Sequence, residues 1–324
     1  MNKEQVMVRS EFATLKKVVL TQSEFIFGTN EITQDEIDIL PQETIELYKD
    51  VGGKDYKDAF PEKQAKWNEE RENLKRVLEK YNVEVVRPRL LTEFEKEVGK
   101  EVGCSNFFVR DPFFTIGNII IEGSLRFHHR RNEIFPVRNV IEDIAYSSNS
   151  IYVSVPRSDI SAGIESEKGP FLEGGDILVL DKTIFVGNSG NASNNNGYLW
   201  LKNFLSNFGY KVIQVPLKKE VLHLDCALSL VRNGLMIVCE DAFIEGIPEE
   251  FKEWEKIVVP YNDISKLAVN GLPINDSVYI LDPEFQYIGN QLIDKGIKVE
   301  YIDFSISRSL GGSFRCSTQA IIRD

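Results

Sequence analysis

Short apolar runs joined by two-residue turns recur along this chain, and that rhythm restricts the fold more than any other feature. Phe113–Ile121 turns at Gly117-Asn118, Ile177–Val186 at Asp181-Lys182, and Ala227–Cys239 at Asn233-Gly234. Such pairs of runs across short polar or glycine-containing turns read as β-hairpins. Between them lie helical patterns, clearest over Pro61–Tyr81, where Trp67, Leu74, Val77 and Leu78 fall at helical spacing behind a proline in the first turn. Shorter helices are expected at Val140–Ala145, Tyr198–Phe208, Phe251–Trp254 and Glu284–Lys295, and Thr33–Lys49 carries a helical pattern broken at Pro41. Single strands are expected at Val18–Leu20, Val83–Val86, Ile151–Val155, Lys211–Val215, Ile257–Val259, Val278–Leu281 and Val299–Ile302. A repeated hairpin–helix–strand unit with no linker between copies points to one α/β domain over residues 1–324.

Composition narrows the partners. The chain has 38 basic against 50 acidic residues, a formal net charge of −12. That balance argues against nucleic acid or an anionic membrane as the main partner and is compatible with a small cationic substrate. The longest apolar runs, such as Ile119-Ile120-Ile121, are far too short to span a bilayer. The N-terminal residues lack the apolar core of a secretory signal, so a cytoplasmic location is expected. The four cysteines form no C-x-x-C pair and only three histidines are present, which argues against a zinc site and for reduced thiols.

Polar residues that interrupt apolar context mark the candidate site. Arg110-Asp111-Pro112 sits between two phenylalanine-rich runs, and Glu173-Gly174-Gly175-Asp176 precedes a strand. Each is open to a plain structural explanation, an ion pair in the first case and a tight turn in the second. In His223-Leu224-Asp225, strand alternation would put the imidazole and the carboxylate on one face. His128 and His129, beside Arg130-Arg131-Asn132-Glu133, read as a solvated charged face. Near the C-terminus, Gly311-Gly312-Ser313-Phe314-Arg315-Cys316 places a cysteine after two glycines at the mouth of a strand. That cysteine is either a nucleophile or a small buried hydrophobe. Together the clusters hold a thiol, an imidazole and several carboxylates. These groups suit attack of a thiolate on a guanidinium held by paired carboxylates, with the histidine moving protons.

The motifs RDP, EGGD, HLD and GGxxRCxT, in that order, resemble those of the guanidino-group-modifying enzymes of the pentein superfamily, from about Asn106 to the C-terminus. The resemblance implies a five-bladed α/β propeller of ββαβ repeats around a central active-site channel. It also implies that Cys316 is the nucleophile, His223 the general acid/base and Glu173 the carboxylate orienting it. Asp111 and Asp225 match the pair that clamps the guanidinium, and Arg130 an arginine that positions the substrate. No metal and no organic cofactor are implied. The expected partners are a small guanidino substrate resembling arginine and an amine acceptor, and a homo-oligomer stays open.

The branch within the superfamily is read from smaller differences. Dimethylargininases generally lack the aspartate matched by Asp225, which argues against them. Arginine deiminases carry an arginine soon after the EGGD hairpin, where this chain reads Gly187-Asn188-Ser189-Gly190-Asn191. Asn194, Gly197, Trp200 and Leu201, like the Gly117-Asn118 hairpin ending at Glu122, look like amidinotransferases. Glu173 stands where those transferases usually have aspartate and is the residue hydrolases prefer. The expectation is an amidinotransferase. An arginine deiminase-like hydrolase is the alternative, and a non-catalytic binding protein a third reading.

Overall fold

The computed structural model describes residues 5–30, 37, 42–48, 50–159, 161–163, 166 and 168–324. Five sheets share one plan: two antiparallel strands, then a crossover that brings a third strand parallel to the second. Four are built from consecutive segments. Phe113–Ile116 and Ile119–Glu122 pair antiparallel, and Ile151–Ser154 joins the latter in parallel. Ile177–Leu180, Thr183–Asn188 and Lys211–Pro216 repeat the pattern, as do Leu228–Arg232, Leu235–Val238 and Glu255–Val258. The last of the four uses Leu272–Asn275, Val278–Leu281 and Lys298–Tyr301.

The fifth sheet is closed by the two ends of the chain. Thr318–Arg323 pairs antiparallel with Leu15–Leu20 and parallel with Met7–Val8, while Glu84–Val86 lies parallel to Leu15–Leu20. The result is the α/β propeller of five ββαβ units. Helices Pro61–Lys80, Phe135–Ser147, Asn195–Ser206 and Gln286–Asp294 make four of the crossovers. The remaining unit crosses through one-turn helices at Glu240–Ala242 and Glu249–Phe251. Every residue of Phe113–Ile116, Ile119–Glu122 and Leu235–Val238 is buried, because helices cover one side of each strand and the propeller interior the other. Among the described residues, no helix is long and apolar enough to cross a membrane.

The turns at Gly117-Asn118, Asp181-Lys182 and Asn233-Gly234 all fall between paired strands as expected. Several elements depart from expectation. The helix Glu93–Val102, opened by a capping box between Thr92 and Glu95, was not expected; it packs on the extra pair Glu24–Ile26 and Cys104–Asn106. Leu224–Cys226 is a one-turn helix, not a strand, so alternation is not what directs His223 and Asp225. Of the helical pattern over Thr33–Lys49, Gln42–Leu47 is helical and most of the rest lies outside the described residues.

Candidate active site

The central ends of the strands carry the polar motifs to one place. Cys316 sits in the turn just before the closing strand, its position set by backbone contacts. Its N–H donates to Asn270 Oδ1 at 3.2 Å, and its carbonyl accepts the Arg110 N–H at 3.2 Å. The sulfur lies 3.9 Å from Asp225 Oδ2. Gly311 has a φ of 89°, in the left-handed region that favours glycine. Gly312 answers a different need: a Cβ there would lie 2.2 Å from Phe108 Cζ, so the missing side chain lets the ring pack on the backbone beside the thiol.

The EGGD segment is more than a tight turn. Glu173 Oε2 is 2.9 Å from His223 Nε2, while Glu173 Oε1 accepts the Arg126 N–H at 2.9 Å. A Cβ on Gly175 would come within 2.7 Å of both Asp111 Oδ1 and the His223 ring. The same glycine's N–H donates to Asp111 Oδ1 at 2.9 Å. Asp176 accepts N–H bonds from Ser193 at 3.1 Å and Leu224 at 3.0 Å, tying this segment to the HLD turn. Glycine is therefore demanded at position 175 by the close approach of two site residues.

Asp111 bonds to Arg130, not to its neighbour Arg110. Arg130 Nη2 donates to Asp111 Oδ2 at 2.9 Å and Glu133 Oε2 at 2.8 Å, and Nη1 reaches Glu173 Oε2 at 3.3 Å. One buried guanidinium thus links three carboxylates, which fixes their mutual geometry. Asp225 is held from the other side, where Arg315 Nη1 donates to its Oδ2 at 2.8 Å. Arg315 also donates to both oxygens of Glu11, each at 3.1 Å. The role of Arg315 and Glu11 was missed in the sequence, although Arg315 lies inside the C-terminal motif. The only signal was a charged residue in an otherwise apolar and small-residue stretch.

Cys316, His223, Asp111 and Arg130 line one cavity, and Glu173 and Asp225 stand directly behind that wall. The cavity offers about 80 Å³ to the centres of water molecules, enough for several waters or a small solute. Its remaining wall is largely apolar: Phe25, Phe107, Phe108, Phe127, Leu222 and Leu310. His129 also lines it, so the reading of a solvated face does not hold for His129. Burial and the neighbouring Arg130 push the His129 pKa down to about 3, so this imidazole is neutral.

The charge states divide the labour. Burial would lower the His223 pKa, but Asp111, Glu173 and Asp176 outweigh it and raise it to about 10. Burial, with Asp225 and Asp111 nearby, pushes the Cys316 thiol well above its usual range. Burial opposes ionisation of Asp111 too, yet His223 and Arg130 hold its carboxyl below the ordinary value. The resting site therefore pairs a neutral thiol with an imidazolium. A guanidinium entering beside the carboxylates would favour the thiolate. Alkylation of Cys316 by iodoacetamide is expected to be slow at neutral pH and to accelerate about tenfold per pH unit, because the thiolate fraction grows tenfold per unit below the pKa. Peptide-resolved mass spectrometry measures this directly; fast, pH-independent labelling near neutrality would contradict the raised thiol pKa.

Asp111, Glu173 and His223 also offer ligand atoms within 4.8 Å of one another, a set that could hold a cation. Arg130 already bonds both carboxylates, and His223 is protonated, so a metal would have to displace one charge and deprotonate another.

The family profile described as N,N dimethylarginine dimethylhydrolase, eukaryotic, matches residues 49–323. The chain belongs to this family. It is thereby a member of the pentein superfamily, within the dimethylargininase-described group that the argument from Asp225 had set aside. Among curated relatives, the uncharacterized protein YkgA of Bacillus subtilis (strain 168) is 26% identical over 320 residues, covering 98% of this chain and 96% of its own. The solved structure of SxtG, an amidinotransferase of the saxitoxin pathway from Microseira wollei, superimposes with a TM-score of 0.83 at 20% identity. That match covers 98% of this chain and 97% of SxtG. DDAH from Pseudomonas aeruginosa, solved with citrulline, gives a TM-score of 0.65 at 17% identity over 95% of this chain and 99% of that one. The fold of this dimethylarginine dimethylhydrolase family member is thus common to enzymes that transfer and enzymes that hydrolyse guanidino groups.

Proposed function

We propose that this protein is an amidinotransferase that moves the amidino group of an arginine-like guanidino donor to an acceptor amine through a covalent adduct on Cys316. The observation that carries the reading is the opening of the Cys316 thiol, the His223 imidazole and the Asp111 carboxylate onto one cavity, with Asp225 beside the sulfur. Asp111 and Asp225 hold the guanidinium by charge-assisted hydrogen bonds; as it binds, the Cys316 thiol releases its proton to solvent, since His223 already carries one, and the thiolate attacks the central carbon. A C–S bond forms, and the tetrahedral adduct collapses as His223, oriented by Glu173, gives its proton to the departing amine. The carbon stays on sulfur as an amidino thioether. The acceptor amine then attacks it, His223 takes a proton from the incoming nitrogen, and the C–S bond breaks. Arg130 acts as a positioning residue through the three carboxylates it joins.

The closer overlay on an amidinotransferase supports transfer. A second reading keeps the site and makes water the acceptor; the family description and the glutamate at position 173 favour it. Both pass through the same adduct, so only the acceptor separates them. Incubation with labelled guanidino donors, beginning with L-arginine, and a panel of amines is expected to yield a new guanidino compound together with the donor's free amine. A ureido product, or ammonia, formed whatever amine is supplied would replace transfer by hydrolysis.

A further inference from the structure

The chemistry occupies only one end of the cavity. Asp111, Glu133, His223 and Cys316 gather there, with Arg130 among them. The rest of the wall is an aromatic cluster. Phe107 packs against Phe108 with ring centroids 4.4 Å apart and against Phe25 at 5.2 Å, and Phe25 meets Tyr48 at 6.0 Å. Leu310 belongs to the same buried group, and Phe127 faces the cavity beside the neutral His129.

A donor bound by its guanidinium at the polar end projects its tail along these rings. An α-carboxylate on that tail would need a cation or well-placed N–H donors, since burying an unpaired carboxylate is heavily penalised. Among the described residues lining the cavity, the one permanent cation is Arg130. Its guanidinium is committed to Asp111, Glu133 and Glu173 at 2.9, 2.8 and 3.3 Å. Taking it for a substrate carboxylate would strip the clamp and leave buried acids uncompensated.

We propose that the donor is a guanidine without a carboxylate, a positively charged head on an alkyl or aralkyl tail, and that Phe25, Phe107, Phe108 and Phe127 select for it. The aromatic wall offers such a tail apolar area and, for a terminal ammonium, the negative faces of its rings. This inference rests on the reading of Cys316 as the nucleophile toward guanidines and names the substrate class of that site.

The test compares the wild-type protein with agmatine, n-butylguanidine and L-arginine, which share a guanidino head and differ at the tail. Adduct formation on Cys316 by intact mass and kcat/KM by product release are both recorded. For agmatine or n-butylguanidine, kcat/KM is expected to exceed that for L-arginine by at least about tenfold, because a site without a partner for the carboxylate rejects the substrate that bears it. A smaller ratio, or a preference for arginine, overturns the proposal while leaving the covalent mechanism standing. Absence of any Cys316 adduct or product with all three guanidines overturns the mechanism and this inference with it. Binding of the same three compounds to the Cys316→Ser protein by calorimetry, expected in the same order, shows whether selection acts on affinity before chemistry.

Discussion

Replacing Cys316 with serine is expected to lower turnover at least about a thousandfold while leaving the fold in place, because it removes the atom on which the covalent intermediate forms. The contacts that set the position of residue 316 are made by its backbone, to Asn270 Oδ1 and from the Arg110 N–H, and they survive the exchange. A serine hydroxyl is close in size to the thiol and faces the same Asp225 oxygen, 3.9 Å from the sulfur. Loss of activity with an unchanged melting curve is the expected pair of results. The wild type should gain the mass of an amidino group when stopped during turnover, and the variant should not. Cys226 makes this measurement discriminating. Its sulfur lies 3.6 Å from Asp225 Oδ1 and it lines the same cavity. An adduct mapped to the Cys226 peptide, or a serine variant that still turns over, would dismiss Cys316 as the nucleophile.

The parts of this molecule differ in how far local sequence determines them. The hairpins at Gly117, Asp181 and Asn233 were legible because a two-residue turn and its flanks carry their own signal. The strand Leu272–Asn275 was not, since Pro273 within a four-residue run argues against a strand. Helix Glu93–Val102 escaped notice for the opposite reason: Phe94 and Val98 face outward, exposed by 77% and 52%, so its apolar residues do not mark a buried stripe. The closing strand Thr318–Arg323 finds its partners at Leu15–Leu20 and Met7–Val8, and no local pattern encodes a pairing across the whole chain. The site shows the same limit. Asp111, Glu173, His223 and Cys316 were singled out through their resemblance to a known set of motifs, whereas spacing alone left each open to a structural explanation. The turn at Leu224–Cys226 also shows that a correct pair of residues can rest on the wrong geometry.

The pairing of Glu11, Asp225 and Arg315, which sequence reasoning did not find, should dominate the stability of the site. Arg315→Met is expected to cost about 3–5 kcal/mol at neutral pH, the usual consequence of breaking a buried ion pair from one side. All three groups are buried, and Arg315 additionally donates to the Ile177 carbonyl at 2.6 Å, so its removal strands two carboxylates and a backbone acceptor. The pH dependence distinguishes this from a simple packing defect. In the wild type, burial would raise the Glu11 pKa, but Arg315 and Arg110 bring it below its usual value. Its contribution is therefore present above the unfolded carboxyl pKa and is lost as pH falls through the lower folded value. In the variant the sign reverses: without Arg315, burial dominates, and protonating Glu11 relieves the protein. The stability gap between the two proteins should narrow on acidification from neutral pH toward about 4.5, near the unfolded glutamate value. A Glu11→Gln, Arg315→Met double variant should recover part of the loss, because one of the two stranded charges is gone. Denaturant titrations at both pH values measure these gaps. A neutral-pH difference below about 1 kcal/mol, within the range of surface ion pairs, would mean that the triad positions Asp225 without holding the chain's two ends together.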